Sequence, residues 1–167
     1  MKEVITNGIN SYSGVRRRFE IKGTVQGIMV VDDYAHHPTE VEATLQAARD
    51  GWNRRIIAVF QPHLFSRTKE FYKEFAKAFM NSDILLVTNI YPAREKPING
   101  VNGKLIYNAA KSVGHKNVRY IDDLENLNHE LNNIAQKNDM VITIGAGTIW
   151  RYGQAYFENL LNQAKTT

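Results

Sequence analysis

Along the first third of the chain the spacing of apolar positions changes twice. "RFEIKGTVQGIMVVDDY" alternates apolar and polar residues, pauses at Gly23 and Gly27, then runs continuously apolar through "IMVV". This pattern predicts a hairpin feeding a strand buried on both faces. Beyond Pro38, which suits a first helical turn because it has no amide hydrogen to leave unpaired, Val41, Leu45 and Ala48 recur on one face until Gly51. That stretch reads as a helix.

The same order then repeats. Strands are expected at "RRIIAVF", "DILLVTNI", "NVRYI" and "DMVITIG", and helices at "SRTKEFYKEFAKAFMNS", "GKLIYNAAKSV", "DLENLNHELNNIAQK" and "TIWRYGQAYFENLLNQ". Short buried strands alternating with helices imply right-handed crossovers. The expected fold is α/β: a Rossmann-like, three-layer domain whose sheet is mostly parallel, with an antiparallel N-terminal hairpin strand. Ligands of such sheets bind beyond the carboxyl ends of the strands. The loops "DDYAHHP", "QPHLFSR", "IYPAREKP" and "GAGT" each follow a strand directly, so all four are expected to line one edge. "MKEVITNGINSYSGV" does not fit this rhythm and reads as a linker or the tail of a preceding element.

Composition narrows the classes. The 167 residues fit one compact domain, and 43% hydrophobic with 23% charged residues describes an ordinary globular chain. The chain has no cysteine, which excludes disulfides and thiolate catalysis and is compatible with a cytoplasmic setting. Its apolar runs are too short to span a bilayer, and no signal peptide opens it, so no membrane partner is expected. The net charge of +4 is modest, and the clusters in "VRRRFE" and "WNRRIIAV" lack interleaved aromatics. Small anionic ligands explain that charge better than nucleic acid.

In "DDYAHHP", Asp33, His36 and His37 are all possible ligands, but adjacent residues rarely point the same way and no metal-binding spacing is present. No protein-only metal site is expected. Two other readings stay open for this loop. Asp33 either caps the helix, with His37 satisfying backbone groups, or acts at a strand's carboxyl end, accepting hydrogen bonds from ribose hydroxyls or helping to hold a magnesium ion that already carries phosphate oxygens. His36 is placed to move a proton or bind an anion. In "FQPHLFSRT", His63 and Arg67 flank a helix start with Ser66 as a plausible N-cap, a combination that suits a carboxylate or phosphate. Phe71, Phe75 and Phe79, spaced by four, read as core. "GAGT" offers a tight turn with free amides, and "IYPARE" a loop that either contacts substrate or is simply rigid. There is no G-x-x-x-x-G-K-[ST] loop, so a bound triphosphate would need another domain to hold it.

Taken in order and spacing, "GVRRRFE", "VVDDYAHHPTEV", "FQPHLFSRT", "YPARE" and "GAGTI" resemble the C-terminal domain of the UDP-N-acetylmuramate:L-alanine ligases. "DYAHHP" alone marks the wider Mur ligase and folylpolyglutamate synthase superfamily. The resemblance runs from about Ser13 to the last helix. It implies a three-domain enzyme of peptidoglycan synthesis in which missing N-terminal and central domains bind the UDP-sugar and the triphosphate. Residues 1–17 would then be the interdomain linker or tail of the central domain, and 18–167 the C-terminal domain.

The implied substrates are ATP with Mg2+, held mainly by the central domain, UDP-N-acetylmuramate and L-alanine, joined through an acyl phosphate. By the resemblance, Arg18 meets ATP phosphate, Asp33 holds the ribose, and Tyr34 and His36 sit beside the nucleotide. His63 and Arg67 meet the L-alanine carboxylate and the intermediate, with Glu95, Gly145 and Gly147 completing the substrate site. His36, His63 and Arg67 are the catalytic candidates. Leu64 stands where some members carry arginine, which leaves Arg67 a larger share. The isolated domain is expected to be inactive. A murein-tripeptide ligase of cell-wall recycling, which shares much of "DD-x-AHHPT", and a non-catalytic nucleotide-binding module are the competing expectations.

Overall fold

The structure, a computed structural model, describes residues 16–166; almost all of the expected linker, 1–17, lies outside the described residues. Six strands form one sheet in the order β1-β2-β6-β3-β4-β5: β1 (Glu20–Val25), β2 (Ile28–Asp33), β3 (Arg55–Phe60), β4 (Ile84–Thr88), β5 (Val118–Ile121) and β6 (Asp139–Ile144). β1 pairs antiparallel with β2, and β2, β6, β3, β4 and β5 run parallel. The hairpin register slips between Ile21 and Gly23, a bulge where the alternation also falters. The α/β reading with its antiparallel N-terminal strand therefore holds.

The helices are α1 (Pro38–Gly51), α2 (Phe65–Ala78), α3 (Lys104–Ser112), α4 (Leu127–Ile134) and α5 (Ile149–Thr166). Successive strand residues face opposite layers. Ile56, Ala58 and Phe60 pack with Leu45 of α1, Phe75 of α2 and Ile106 of α3. Ile57 and Val59 pack with Leu131 of α4 and Tyr156 of α5. Three helices thus cover one face and two the other, which is why the strands read as unbroken apolar runs.

Two helices are shorter than their periodicity predicts. The segment expected from Ser66 to Ser82 leaves α-geometry after Ala78 for a 3-10 turn, Phe79–Asn81. The one expected from Asp123 begins with a 3-10 turn, Leu124–Asn126, and stops at Ile134 because Ala135 is extended and Asp139 captures the amide of Gln136 at 2.7 Å.

The chain leaves adjacent strands β3 and β6 for opposite faces, α2 packing in one layer and α5 in the other. At such a divergence the loops splay apart and leave a crevice beyond the strand ends. Gln61 follows β3 and Gly145 follows β6 at that point.

Candidate functional site

The four post-strand loops meet at this edge, as their order requires. The Gly145 amide donates to the Asp33 carbonyl and the Gln61 amide to the Ile144 carbonyl. Tyr91 bonds Pro62 through its amide and Leu64 through its carbonyl. His63 and Tyr91 form an isolated parallel bridge, with their rings stacked at 5.8 Å.

At the end of β2 both acids are committed to the protein. Asp32, 1% exposed, accepts from Thr143 Oγ1 at 2.8 Å and from Arg17 Nε at 2.9 Å. Arg17 Nη2 continues to the Gly145 carbonyl at 2.7 Å, so one guanidinium ties β2 to the "GAGT" turn. Asp33 accepts from the Phe19 amide and the Ala35 amide, each at 2.7 Å. It therefore fastens the hairpin to the turn and does not cap α1. The cap is His37, whose Nδ1 accepts from the Thr39 amide at 3.4 Å, while Glu40 reaches back to the His36 and His37 amides. The structural reading of His37 thus holds, and its ring packs edge-on against Phe71.

Cations and aromatic rings alternate beside this turn. Arg17 lies 4.9 Å and Arg18 5.7 Å from the Tyr34 ring, and Arg17 lies 5.9 Å from the Trp150 ring. Arg18 is exposed and shares an open cleft with Phe19, Asp33 and Glu40 above Ala43 and Ala47. Burial raises the Glu40 pKa, but the amide bond from His36, the nearby His36 charge, the His37 amide and the Arg18 charge outweigh it and hold the carboxyl below its usual range.

His36 and His63 lie 6.0 Å apart, ring centre to ring centre. His36 Nδ1 bonds the Tyr34 carbonyl at 3.0 Å and lies 3.4 Å from Glu40 Oε2. Arg67 Nη1, one helical turn on, bonds His63 Nδ1 at 3.3 Å. Burial pushes the His63 pKa down, and the charges of Arg67 and His36 push it further against the pull of Glu95. This cluster gathers two imidazoles and a guanidinium at the crevice mouth, a set that can bind an anion and move a proton.

Two expectations about helix ends need correction. Ser66 is not the N-cap of α2. That position is Leu64, in a left-handed conformation (φ 73°) with no side-chain cap, and Glu95 reaches across to accept from the Ser66 amide at 3.0 Å and from the Ser66 hydroxyl. The hydroxyl bond, the amide bonds of Ser66 and Phe65, and Arg67 hold the Glu95 pKa low against a small burial effect. Nor are the "GAGT" amides free, because Gln61 Oε1 accepts from the Thr148 and Ile149 amides at 2.7 and 3.1 Å, and Gln61 Nε2 donates to Thr148 Oγ1 at 3.3 Å. Sequence reasoning passed over Gln61. A polar residue directly after a fully apolar strand, and 3% exposed in the fold, was the available signal. Gly147 packs directly on this clamp: a Cβ there would lie 2.4 Å from Gln61 Oε1 and 2.6 Å from Tyr91 Cγ.

Among the described residues no group of three or more histidines and acids is arranged to hold a metal ion, and no helix is long and apolar enough to cross a membrane.

The model of the Mur ligase glutamate ligase domain matches residues 17–147. The UDP-N-acetylmuramate–L-alanine ligase of Geotalea uraniireducens is 51% identical over 93% of this chain, and that of Salinibacter ruber 48% over 98%. The chain spans about a third of the length of these relatives, 34% and 35%. Among solved structures, the UDP-N-acetylmuramate–alanine ligase of Thermotoga maritima superimposes with a TM-score of 0.75 at 29% identity, covering 94% of this chain and 33% of that one. A murein peptide ligase from Psychrobacter arcticus gives 0.73 at 22% identity, covering 92% and 32%, and shares the fold.

Proposed function

The chain belongs to the Mur ligase family as its glutamate ligase domain, and from that premise we propose that it is the amino-acid side of an ATP-dependent ligase joining L-alanine to UDP-N-acetylmuramate. The observation that carries this reading is the convergence of His36, His63 and Arg67 beyond the strand ends, in a chain 51% identical to an L-alanine ligase. The chemistry is coherent. A carboxylate becomes an electrophile once phosphorylated, the amine displaces phosphate, and cations around the tetrahedral intermediate stabilise its charge.

Arg67 takes the amino-acid carboxylate beside His63, with the Gly145–Gly147 turn behind them and Glu95 holding the start of α2. Tyr34 and Arg18 face the nucleotide. Asp33 holds the ribose: its two oxygens each accept one amide, from Phe19 and Ala35, which fixes the carboxylate and leaves a lone pair on each oxygen for a hydroxyl. Mg2+, which would supply charge neutralisation to the phosphates, finds no acidic cluster among the described residues and belongs to the remainder of the protein. Residues 1–17 are the interdomain linker or the tail of the central domain in this reading, and the isolated domain neither hydrolyses ATP nor forms amide.

Incubating the full-length protein with ATP and UDP-N-acetylmuramate, and with either L-alanine or the murein tripeptide, tests the assignment by mass spectrometry. Amide formed with L-alanine is expected. Amide formed only with the tripeptide reassigns the chain to the recycling ligases, and nucleotide binding without amide makes it a binding module.

A further inference from the structure

The two histidines of the site are constrained in opposite senses. A guanidinium only donates, so the contact from Arg67 Nη1 obliges His63 Nδ1 to accept. The proton of a neutral His63 therefore sits on Nε2. A backbone carbonyl only accepts, so the contact with the Tyr34 carbonyl obliges His36 Nδ1 to donate. Glu40 Oε2, 3.4 Å away, reinforces the same choice. The lone pair of a neutral His36 therefore sits on Nε2. No hydrogen bond joins either Nε2 to another described residue, and a quarter of the His36 side chain is exposed.

We propose that the pair divides the labour of amide formation: His36 Nε2 takes the proton from the incoming ammonium group, and His63 Nε2–H donates a hydrogen bond to the carbonyl oxygen under attack. This rests on the ligase reading above. The amino acid arrives as an ammonium ion, which has no lone pair. His36 accepts one proton, and the resulting imidazolium keeps Nδ1–H on the Tyr34 carbonyl with Glu40 alongside. The freed amine forms the C–N bond to the acyl carbon, giving the tetrahedral intermediate, and the C–O bond to phosphate breaks as that intermediate collapses. The second amine proton leaves with the phosphate, and the third remains on the amide, so protons and charge balance. His63 does not compete for the ammonium proton, because its accepting nitrogen is already occupied by Arg67. Tyr34 and Glu40 face His36, with Arg18 beside Glu40, while Arg67, Glu95 and Tyr91 surround His63.

Two measurements test the division independently. Two-bond proton–nitrogen correlation spectra of the labelled 167-residue chain, assigned by the signals lost in His36→Gln and His63→Gln, report which ring nitrogen carries the proton. His36 is expected as the Nδ1–H form and His63 as the Nε2–H form, and Arg67→Ala is expected to release His63 into a mixture while leaving His36 unchanged. Either histidine in the opposite form overturns the proposal.

In the full-length enzyme, His36→Gln is expected to lower kcat on the order of 100-fold near neutral pH and to flatten the acid limb of its pH profile. His63→Gln, which keeps a donor, should lower kcat less and preserve that limb. An acid limb indifferent to His36→Gln overturns the base role alone. Absence of any amide product overturns the ligase reading beneath it.

Discussion

The two ends of the parallel sheet hold similar residues in different states of completion. At the amino ends of the strands, Asp83 accepts from Arg49 Nη2 and from the Ile56 amide, each at 2.7 Å. Arg55 grips Asp139 with two nitrogens, at 2.7 and 2.9 Å. His115, 7% exposed, has both ring nitrogens engaged, Nε2 with Ser82 Oγ and Nδ1 with the Asn117 amide. At the carboxyl ends, His36, His63 and Arg67 each spend one nitrogen on the protein, and no hydrogen bond joins their other side-chain nitrogens to a described residue. A network closed on itself holds the fold together. One left open at a crevice is available to a ligand.

The largest expected break in this comparison comes from Gly147→Ala. The Gln61 clamp and Tyr91 crowd that position from two sides, so the added methyl must displace one of them. A loss of about 3 kcal/mol in unfolding free energy is expected, read as a lower denaturant midpoint at unchanged m-value. A midpoint within error of the parent would mean that the loops at this edge are not packed as tightly as the geometry shows.

Next in size is Arg67→Ala in the full-length enzyme. Removing a charged partner of the substrate carboxylate is expected to raise the KM for L-alanine by roughly 30-fold, about 2 kcal/mol, with the KM for UDP-N-acetylmuramate nearly unchanged. Equal effects on both would place Arg67 outside the amino-acid site.

How much of this was legible in the chain depends on sequence separation. Strand and helix order, the two-faced burial of β3, and the gathering of four loops at one edge follow from local period and from the rule that ligands sit beyond strand ends. The clamp by Gln61 on Thr148, 87 residues away, does not. Nor does the capture of Gly145 by Arg17 across 128 residues, or the capping of α2 by Glu95. Those partners are chosen by the packed fold, and a local reading naturally assigned Ser66 the cap because serine beside a helix start is the commonest solution.

The same fold produces a pH effect at the closed end. Burial holds the His115 pKa below its ordinary 6.5, so between the folded value and 6.5 the unfolded chain binds a proton that the folded chain refuses. Stability from this site is intact above about pH 6.5 and is lost as pH falls below it. His63, also lowered by burial, adds in the same direction. The Tm of the chain is expected to fall on acidification, and His115→Gln, able to donate to Ser82 and accept from Asn117, should fall less steeply. Parallel slopes would assign the effect to the site end.

The smallest expected change is a gain. Gly51 closes α1 at the amino-end side of the sheet, and a Cβ there would meet nothing within 4 Å. Its φ is not in the left-handed range that would strain a side chain. Alanine at this position removes freedom from the unfolded chain without a clash in the folded one, which is expected to stabilise by about 0.5 kcal/mol, seen as a slightly higher denaturant midpoint. Set beside Gly147→Ala, the same chemical change would then carry opposite signs at the two ends of one sheet. A loss at Gly51 would show that the turn through Trp52 needs the glycine, and would erase the difference in crowding on which the comparison stands.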